Sequence, residues 1–444
     1  VRRAAAWWVL VALGCAPAGT SEVGRWPAST VSPAPPLPAS SGWWSTSYGA
    51  TVDGGTPAEE ALGLSRRPDG GVLVASGFFG VVLDEAGLPQ HTWAWRQPRS
   101  AFTVPTGFLW TARHHEGRVL LGLAESTAGA QTQSALNVIE WDEQGSPARN
   151  RRYASPAPLN APVVFRARDG GDLVLLRSRV AFLEADGTQR WGVQLAKGAR
   201  ELWAHEALEL PGGDWLVAFG GPIVDAPVLL VRLVAATGAV AWSKDLEVRD
   251  AQHSFSNLAL DDDGRVVFCA GMQQIQGPPG ALVRLATDGS EATARAFHLW
   301  RANPVLCGRM LMGRALQLLR APGGWACHLA ATVGSTDGAA YREARVVLPA
   351  SGAPSAVALS GPAAATLSDG SLLVLGGKTT GFELTHPASA PACGEPHDVR
   401  ELGEAPATLT DVLLTATPFA LTATAPLALE PAPLDVQPAS RTCR

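Results

Sequence analysis

The chain has 444 residues, 46% of them apolar and 17% charged, with a formal net charge of −5. That apolar content excludes a disordered chain, and mild acidity without a basic, aromatic-interleaved stripe excludes a nucleic-acid surface. With 47 Gly, 34 Pro and no long helical period, the composition suits an all-β chain of short strands and many turns.

Residues 1–14 read as a secretion signal. Arg2 and Arg3 form a charged start, and Ala4 to Leu13 an apolar core. That core is shorter than the roughly 20 residues a membrane span needs. Gly14-Cys15 follows and resembles the bacterial lipobox, with Ala12 standing where Leu is usual and Leu13 where a small residue is usual. The resemblance implies cleavage before Cys15, lipidation of its thiol, and an exported address on the periplasmic or cell-surface side of a bacterial outer membrane. Residues 15–41 are rich in Pro, Ser and Ala and read as an extended tether.

Residues 42–385 repeat one phrase seven times: a Gly turn, then a short apolar strand. It appears as DGGVLVASG (from Asp69), EGRVLLG (Glu116), DGGDLVLL (Asp169), PGGDWLVAFGG (Pro211), DGRVVFCAG (Asp263), PGGWACHLA (Pro322) and DGSLLVLGG (Asp369). The turn glycines Gly70, Gly117, Gly170, Gly212, Gly264, Gly323 and Gly370 lie about 42 to 59 residues apart, close to the period of propeller blades. Asp-Gly and Gly-Gly tolerate positive φ, so each phrase reads as a hairpin turn entering a strand. The second half of the unit is clearest from Val228 to Trp242, two apolar strands around a Thr-Gly turn. Its apolar runs are nearly continuous, as in strands covered on both faces.

A Trp recurs at the end of that half, at Trp95, Trp191, Trp242 and Trp300, and the early stretch Gly42 to Gly49, which holds Trp44, sits about one such spacing before the first phrase. Regular recurrence assigns this set to packing between repeats rather than to ligand stacking. Trp43, Trp110 and Trp203 fall off the position and are the better candidates for contact surfaces. The stretch Gly42 to Gly49 is an outer strand without a repeat of its own, and the last repeat lacks a Trp-ended outer strand. The expected fold is therefore all-β: a single β-propeller of seven blades of four antiparallel strands, eight being the alternative, closed by the N-terminal strand. The remainder, 386–444, is expected to be an extension packed on the propeller, its Thr-, Leu- and Pro-rich segment adding short strands across one side.

Five cysteines follow Cys15. The expected disulfides are Cys393 with Cys443, stapling the tail, and Cys307 with Cys327. Cys269 lies in an apolar strand and is expected to pack as a small hydrophobe.

No catalytic motif, dinucleotide fingerprint or phosphate loop is present, and no cofactor or metal site is expected. His114-His115-Glu116 enters a Gly turn and reads as a solvated hairpin tip. Asp261-Asp262-Asp263 is consecutive, whereas calcium loops alternate their carboxylates, so it reads as an acidic turn. His205 and His253 stand at similar distances before Gly212 and Gly264. They are the candidate ligand-binding residues, at the mouth of the axial channel.

The repeat resembles bacterial propeller repeats of the pyrroloquinoline-quinone-like class, best in VRLVAATGAVAWS from Val231, and the LVLGG of the last phrase is similar to kelch. The resemblance implies a non-catalytic envelope lipoprotein whose propeller binds or scaffolds a protein or glycan. The alternative is a propeller enzyme, a quinoprotein dehydrogenase or a polysaccharide-active enzyme. Quinoproteins typically carry vicinal cysteines, and this chain has no Cys-Cys pair.

Overall fold

The structure is a computed structural model. It describes residues 44–443 apart from 53–55, 58–62, 68–70, 76–77, 85–86, 97–105, 116–117, 128–133, 143, 156–158, 160–161, 200–201, 221–226, 249–253, 272–279, 302–309, 322–323, 336–337, 350–354, 360–362, 367–371, 379–380, 387–396 and 433. The leader, Cys15 and the tether lie outside the described residues.

The chain opens with β1 (Trp44–Val52) and β2 (Thr56–Pro57). Sheet I holds β3 (Gly63–Arg66), β4 (Val72–Ala75), β5 (Phe79–Leu83) and β6 (Pro89–Trp95). Sheet II holds β7 (Thr106–His115), β8 (Arg118–Thr127), β9 (Ser134–Trp141) and β10 (Pro147–Ser155). Sheet III holds β11 (Val163–Arg166), β12 (Asp172–Leu176), β13 (Arg179–Leu183) and β14 (Gln189–Ala196). Sheet IV holds β15 (Trp203–Glu209), β16 (Trp215–Gly220), β17 (Val228–Leu233) and β18 (Val240–Val248). Sheet V holds β19 (Ser254–Phe255), β20 (Ala259–Leu260), β21 (Val266–Gly271), β22 (Gly280–Leu285) and β23 (Ala292–Arg301). Sheet VI holds β24 (Met310–Ala321), β25 (Gly324–Ser335), β26 (Gly338–Pro349) and β27 (Ser355–Leu359). Sheet VII holds β28 (Ala363–Thr366), β29 (Leu372–Lys378), β30 (Gly381–His386) and, beside β30, the early strands β1 and β2.

Each sheet is an antiparallel meander, and the first strands stand side by side: β3 by β7, β7 by β11, β11 by β15, β19 by β24, β24 by β28, and β28 by β3. His205 of β15 meets Phe255 of β19, completing the cycle. The chain is an all-β propeller.

Six further strands follow: β31 (His397–Ala405), β32 (Ala407–Asp411), β33 (Thr415–Pro418), β34 (Thr422–Thr424), β35 (Pro431–Ala432) and β36 (Leu434–Cys443). They pair in turn with β23, β18, β14, β10, β6 and β1, always antiparallel. The tail is thus a belt that runs backwards round the outside, over sheets V, IV, III, II, I and VII. This corrects two expectations. The tail covers the edges of six sheets rather than one side. Uniform four-stranded blades are not found either: five sheets have four or five strands and two have six. Every belted edge gains a strand, because an open edge left uncovered invites pairing with other chains.

Alternation along buried strands fills the spaces between sheets. Leu173 and Leu175 face the III–IV core with Trp215, Val217 and Val231. Their neighbours Val174 and Leu176 face the II–III core with Leu136 and Val138. A two-residue period with both faces apolar is what makes the runs look continuous in sequence.

The belt adds an apolar-x-apolar pair at five joints. Val412 and Leu414 pack on the III–IV core, Phe419 and Leu421 join the II–III core, and Leu427 and Leu429 meet the I–II core. Ala407 and Leu409 pack against the IV–V core, and Leu434 and Val436 are buried beside β1.

Sheet-to-sheet register is set at five joints by an aromatic on the outer strand and a left-handed Gly in the next sheet's last hairpin. Trp95 Nε1 donates to the Gly145 carbonyl at 2.8 Å, and Trp191 Nε1 to the Ala235 carbonyl at 2.7 Å, its ring lying on Gly238. Trp242 lies against Gly289. The packing role expected of the Trp set is thus seen at these three; the side chains of Trp44 and Trp300 are outside the description. Two tyrosines do the same work: Tyr48 donates to the Gly87 carbonyl, and Tyr153 to the Gly187 carbonyl at 2.9 Å.

Polar groups also bridge sheets II and III. Asp172, fully buried, meets Arg166 at 2.9 Å and Arg149 at 3.5 Å, while Glu140 meets Arg166 at 2.6 Å. Burial pushes the Asp172 carboxyl up to about 6, against the pull of Arg166, Arg149 and Arg151.

One disulfide joins Cys269 of β21 to Cys327 of β25, with Cα atoms 5.8 Å apart. It overturns the pairing of Cys307 with Cys327 and the reading of Cys269 as a packing thiol. Partners in adjacent sheets are brought together by the ring, which spacing along the chain does not reveal. Cys393 and Cys307 lie outside the described residues.

Candidate functional site

The wall of the ring facing its axis is built from β7, β11, β15 and β19. On β15, Ala204 pairs with Phe219 but Glu206 pairs with Ala218, so His205 is the extra residue of a β-bulge. Bulges re-aim a side chain out of the regular alternation and gather near functional sites. His205 is exposed. Its ring stands 6.4 Å from that of Trp203 and 6.0 Å, edge-on, from Phe255 of the next sheet. Gly220 behind it leaves the space, since a Cβ there would come within 3.2 Å of the imidazole.

Trp203 is half-buried, and the Arg177 guanidinium lies over its ring at 4.7 Å. Arg177 occupies the β12–β13 turn with φ of 59°, among the described residues the one non-Gly in the left-handed region. Its carbonyl accepts the Ala204 N–H at 2.9 Å, which fastens that turn to the start of β15. The Trp203 indole N–H is buried and has no hydrogen-bond partner among the described residues.

One layer further along the axis, Arg113 of β7 lies over the Phe165 ring of β11 at 3.8 Å and pairs with Glu206 of β15. Three sheets are thereby tied by one ion pair across an aromatic. Burial raises the Glu206 carboxyl, and Arg113 draws it back.

The sequence-predicted residues divide. His205 is on the wall, at the bulge. His253 lies outside the described residues, next to β19. Trp203 belongs to the site, as its irregular position suggested. Glu206 was noticed beside His205, whereas Arg113, Phe165, Arg177 and Phe255 were missed, because only the ring brings them together. The residues Asp261 to Asp263 form the expected acidic turn: Asp261 Oδ1 accepts the N–H groups of Asp263 at 3.0 Å and Arg265 at 2.9 Å, and Oδ2 takes Arg284 Nε at 2.9 Å. His114 and His115 end β7 at its hairpin. Among the described residues no three His, Cys, Asp or Glu side chains group as a metal site.

An exposed imidazole set between two aromatic rings suits binding of a polar group with a flat apolar side, such as a sugar ring or a peptide segment.

No protein-family model matches the sequence, and no curated protein matches it. Solved structures similar in part include a Bacteroides caccae protein of unknown function, with 14% identity over 56% of this chain and 91% of that one, TM-score 0.35. The WD40 domain of Neurospora crassa Pan2 has 10% identity over 80% of this chain and 99% of that one, TM-score 0.40. A Synechocystis apocarotenoid oxygenase mutant has 13% identity over 64% and 68%, TM-score 0.33. Likenesses this distant carry no functional argument, so function must be read from the chain's own site.

Proposed function

We propose that this chain is a non-catalytic binding or scaffold module of a bacterial cell envelope. In this reading its seven sheets are the seven blades of one ring. The ring is exported, carried on the 15–41 tether and held to the outer membrane through a lipid on Cys15. Its partner is a protein or glycan that meets the wall at Trp203 and His205. The observation that carries the reading is the bulge that turns His205 out between Trp203 and Phe255. The Cys269–Cys327 bond supports an oxidising compartment, where such bonds persist. The charged start, apolar run and Gly14-Cys15 support lipid attachment.

The test is binding of the full chain to immobilised envelope glycans and peptides, compared with Trp203→Ala and His205→Ala. The reading expects a ligand whose affinity falls at least about tenfold in Trp203→Ala, one stacked aromatic contributing roughly 1–2 kcal/mol. Ligands held equally by wild type and both variants would remove this wall from the function. Metabolic acyl labelling that survives Cys15→Ala would remove the anchor.

A further inference from the structure

The belt shows which ligand the outer edges of this ring accept. At six sheets the occupant is an extended strand, antiparallel to the edge. Its apolar-x-apolar pairs seat at the joints, as Val412 and Leu414 or Phe419 and Leu421 do. Main-chain pairing supplies affinity in this mode, and the alternate side chains supply selectivity.

Sheet VI is the exception. Among the described residues β27 pairs with β26 alone; β31, the belt strand of sheet V, comes against β27 at the joint but does not pair with it. The belt starts at His397 on sheet V and ends at Cys443 on sheet VII. Sheet VI stands between these two, since β24 contacts both β19 and β28. Among the described residues this edge is therefore the unpaired stretch between the two ends of a continuous interface, and its strand, SAVAL, carries neither charge nor Pro to discourage pairing.

We propose that the outer edge of β27 docks an extended segment of a partner protein, antiparallel to β27 and bearing the belt's apolar-x-apolar pattern. The partner completes the series that the tail begins on sheet V and ends on sheet VII.

The test uses the full chain and a labelled peptide of residues 407–424, with a composition-matched peptide whose apolar pairs are broken as the control. Along β27 the N–H groups alternate between β26 and the open edge. Proline at Ala356 and Ala358, or else at Val357, therefore blocks the edge while sparing the sheet. Expected are saturable micromolar binding of the patterned peptide, at least tenfold weaker binding of the control, and tenfold loss in the prolines of one parity with melting unchanged. Three results would each overturn the proposal. One is peptide binding that is absent or indifferent to every proline, which would place any bound peptide elsewhere. Another is hydrogen exchange showing the outward β27 amides already protected in the free monomer, which would make this chain the occupant. The last is a dimer in sedimentation that the peptide dissociates, which would make a second copy the occupant.

Discussion

Gly238 shows how much a single residue type decides here. Its φ is +67°, and a Cβ would come within 2.5 Å of Trp191 Cε3. Gly238→Ala therefore adds a left-handed penalty to a collision with a ring that joins sheets III and IV. We expect a loss of about 2–4 kcal/mol in urea unfolding. Gly212, also in a turn phrase, has no left-handed φ and no atom within 4 Å of a Cβ. Gly212→Ala is expected to stay within about 0.5 kcal/mol of wild type. Equal losses at both glycines would refute the aromatic-on-glycine account. The Trp half of this contact was legible, because Trp95, Trp191 and Trp242 recur at one spacing. Tyr48 and Tyr153 hold the same position in their repeats, but a pattern keyed to Trp passes over them. The site was less legible still. His205 was found by its distance to a turn glycine, whereas its bulge depends on how β15 pairs with β16. Arg113 and Glu206 are 93 residues apart and meet only across β11, the strand between theirs.

At the scale of elements, the meanders were readable and the belt was not. Turn chemistry at Asp169-Gly170 or Asp263-Gly264 is local, so the hairpins it starts can be read from a few residues. Belt strands such as β34 and β35 are three and two residues long, too short to show a period of their own. What they do carry is the spacing of Val412, Phe419, Leu427 and Leu434, each followed two residues later by another aliphatic. Its meaning appears only once the joints between sheets are known. The pattern makes a prediction within one segment. Phe419 and Leu421 are each 8% exposed, while Leu413 between two seated residues is 94% exposed. Phe419→Ala with Leu421→Ala should lower stability by about 3–6 kcal/mol, and Leu413→Ala should change it by no more than about 0.5. Equal effects in calorimetry would show that the belt is held by its backbone alone.

For the whole molecule, the closure of the ring was anticipated from Trp44, and β1 does lie against β30, with Trp44 opposite His386. That the tail adds strands was anticipated, but not that it adds one to each of six sheets. Nor was the disulfide, whose cysteines are 58 residues apart and meet only when sheet V packs on sheet VI. It sits at the one sheet to which the belt adds no strand among the described residues. Replacing both cysteines by Ala should cost about 4 kcal/mol by the chain-entropy estimate for such a loop, read as a lower denaturation midpoint. An unchanged midpoint would assign the holding of sheet VI to packing alone.

Trp44 also pairs with Cys443, so β1 is flanked by strands from the far end of the polypeptide on both sides. A chain threaded amino end first delivers this strand early and its second neighbour last. Ladders between such remote residues are slow to form. Closure of the circle therefore waits for Gly381–His386, and its outer fastening for Leu434–Cys443, both made long after β1.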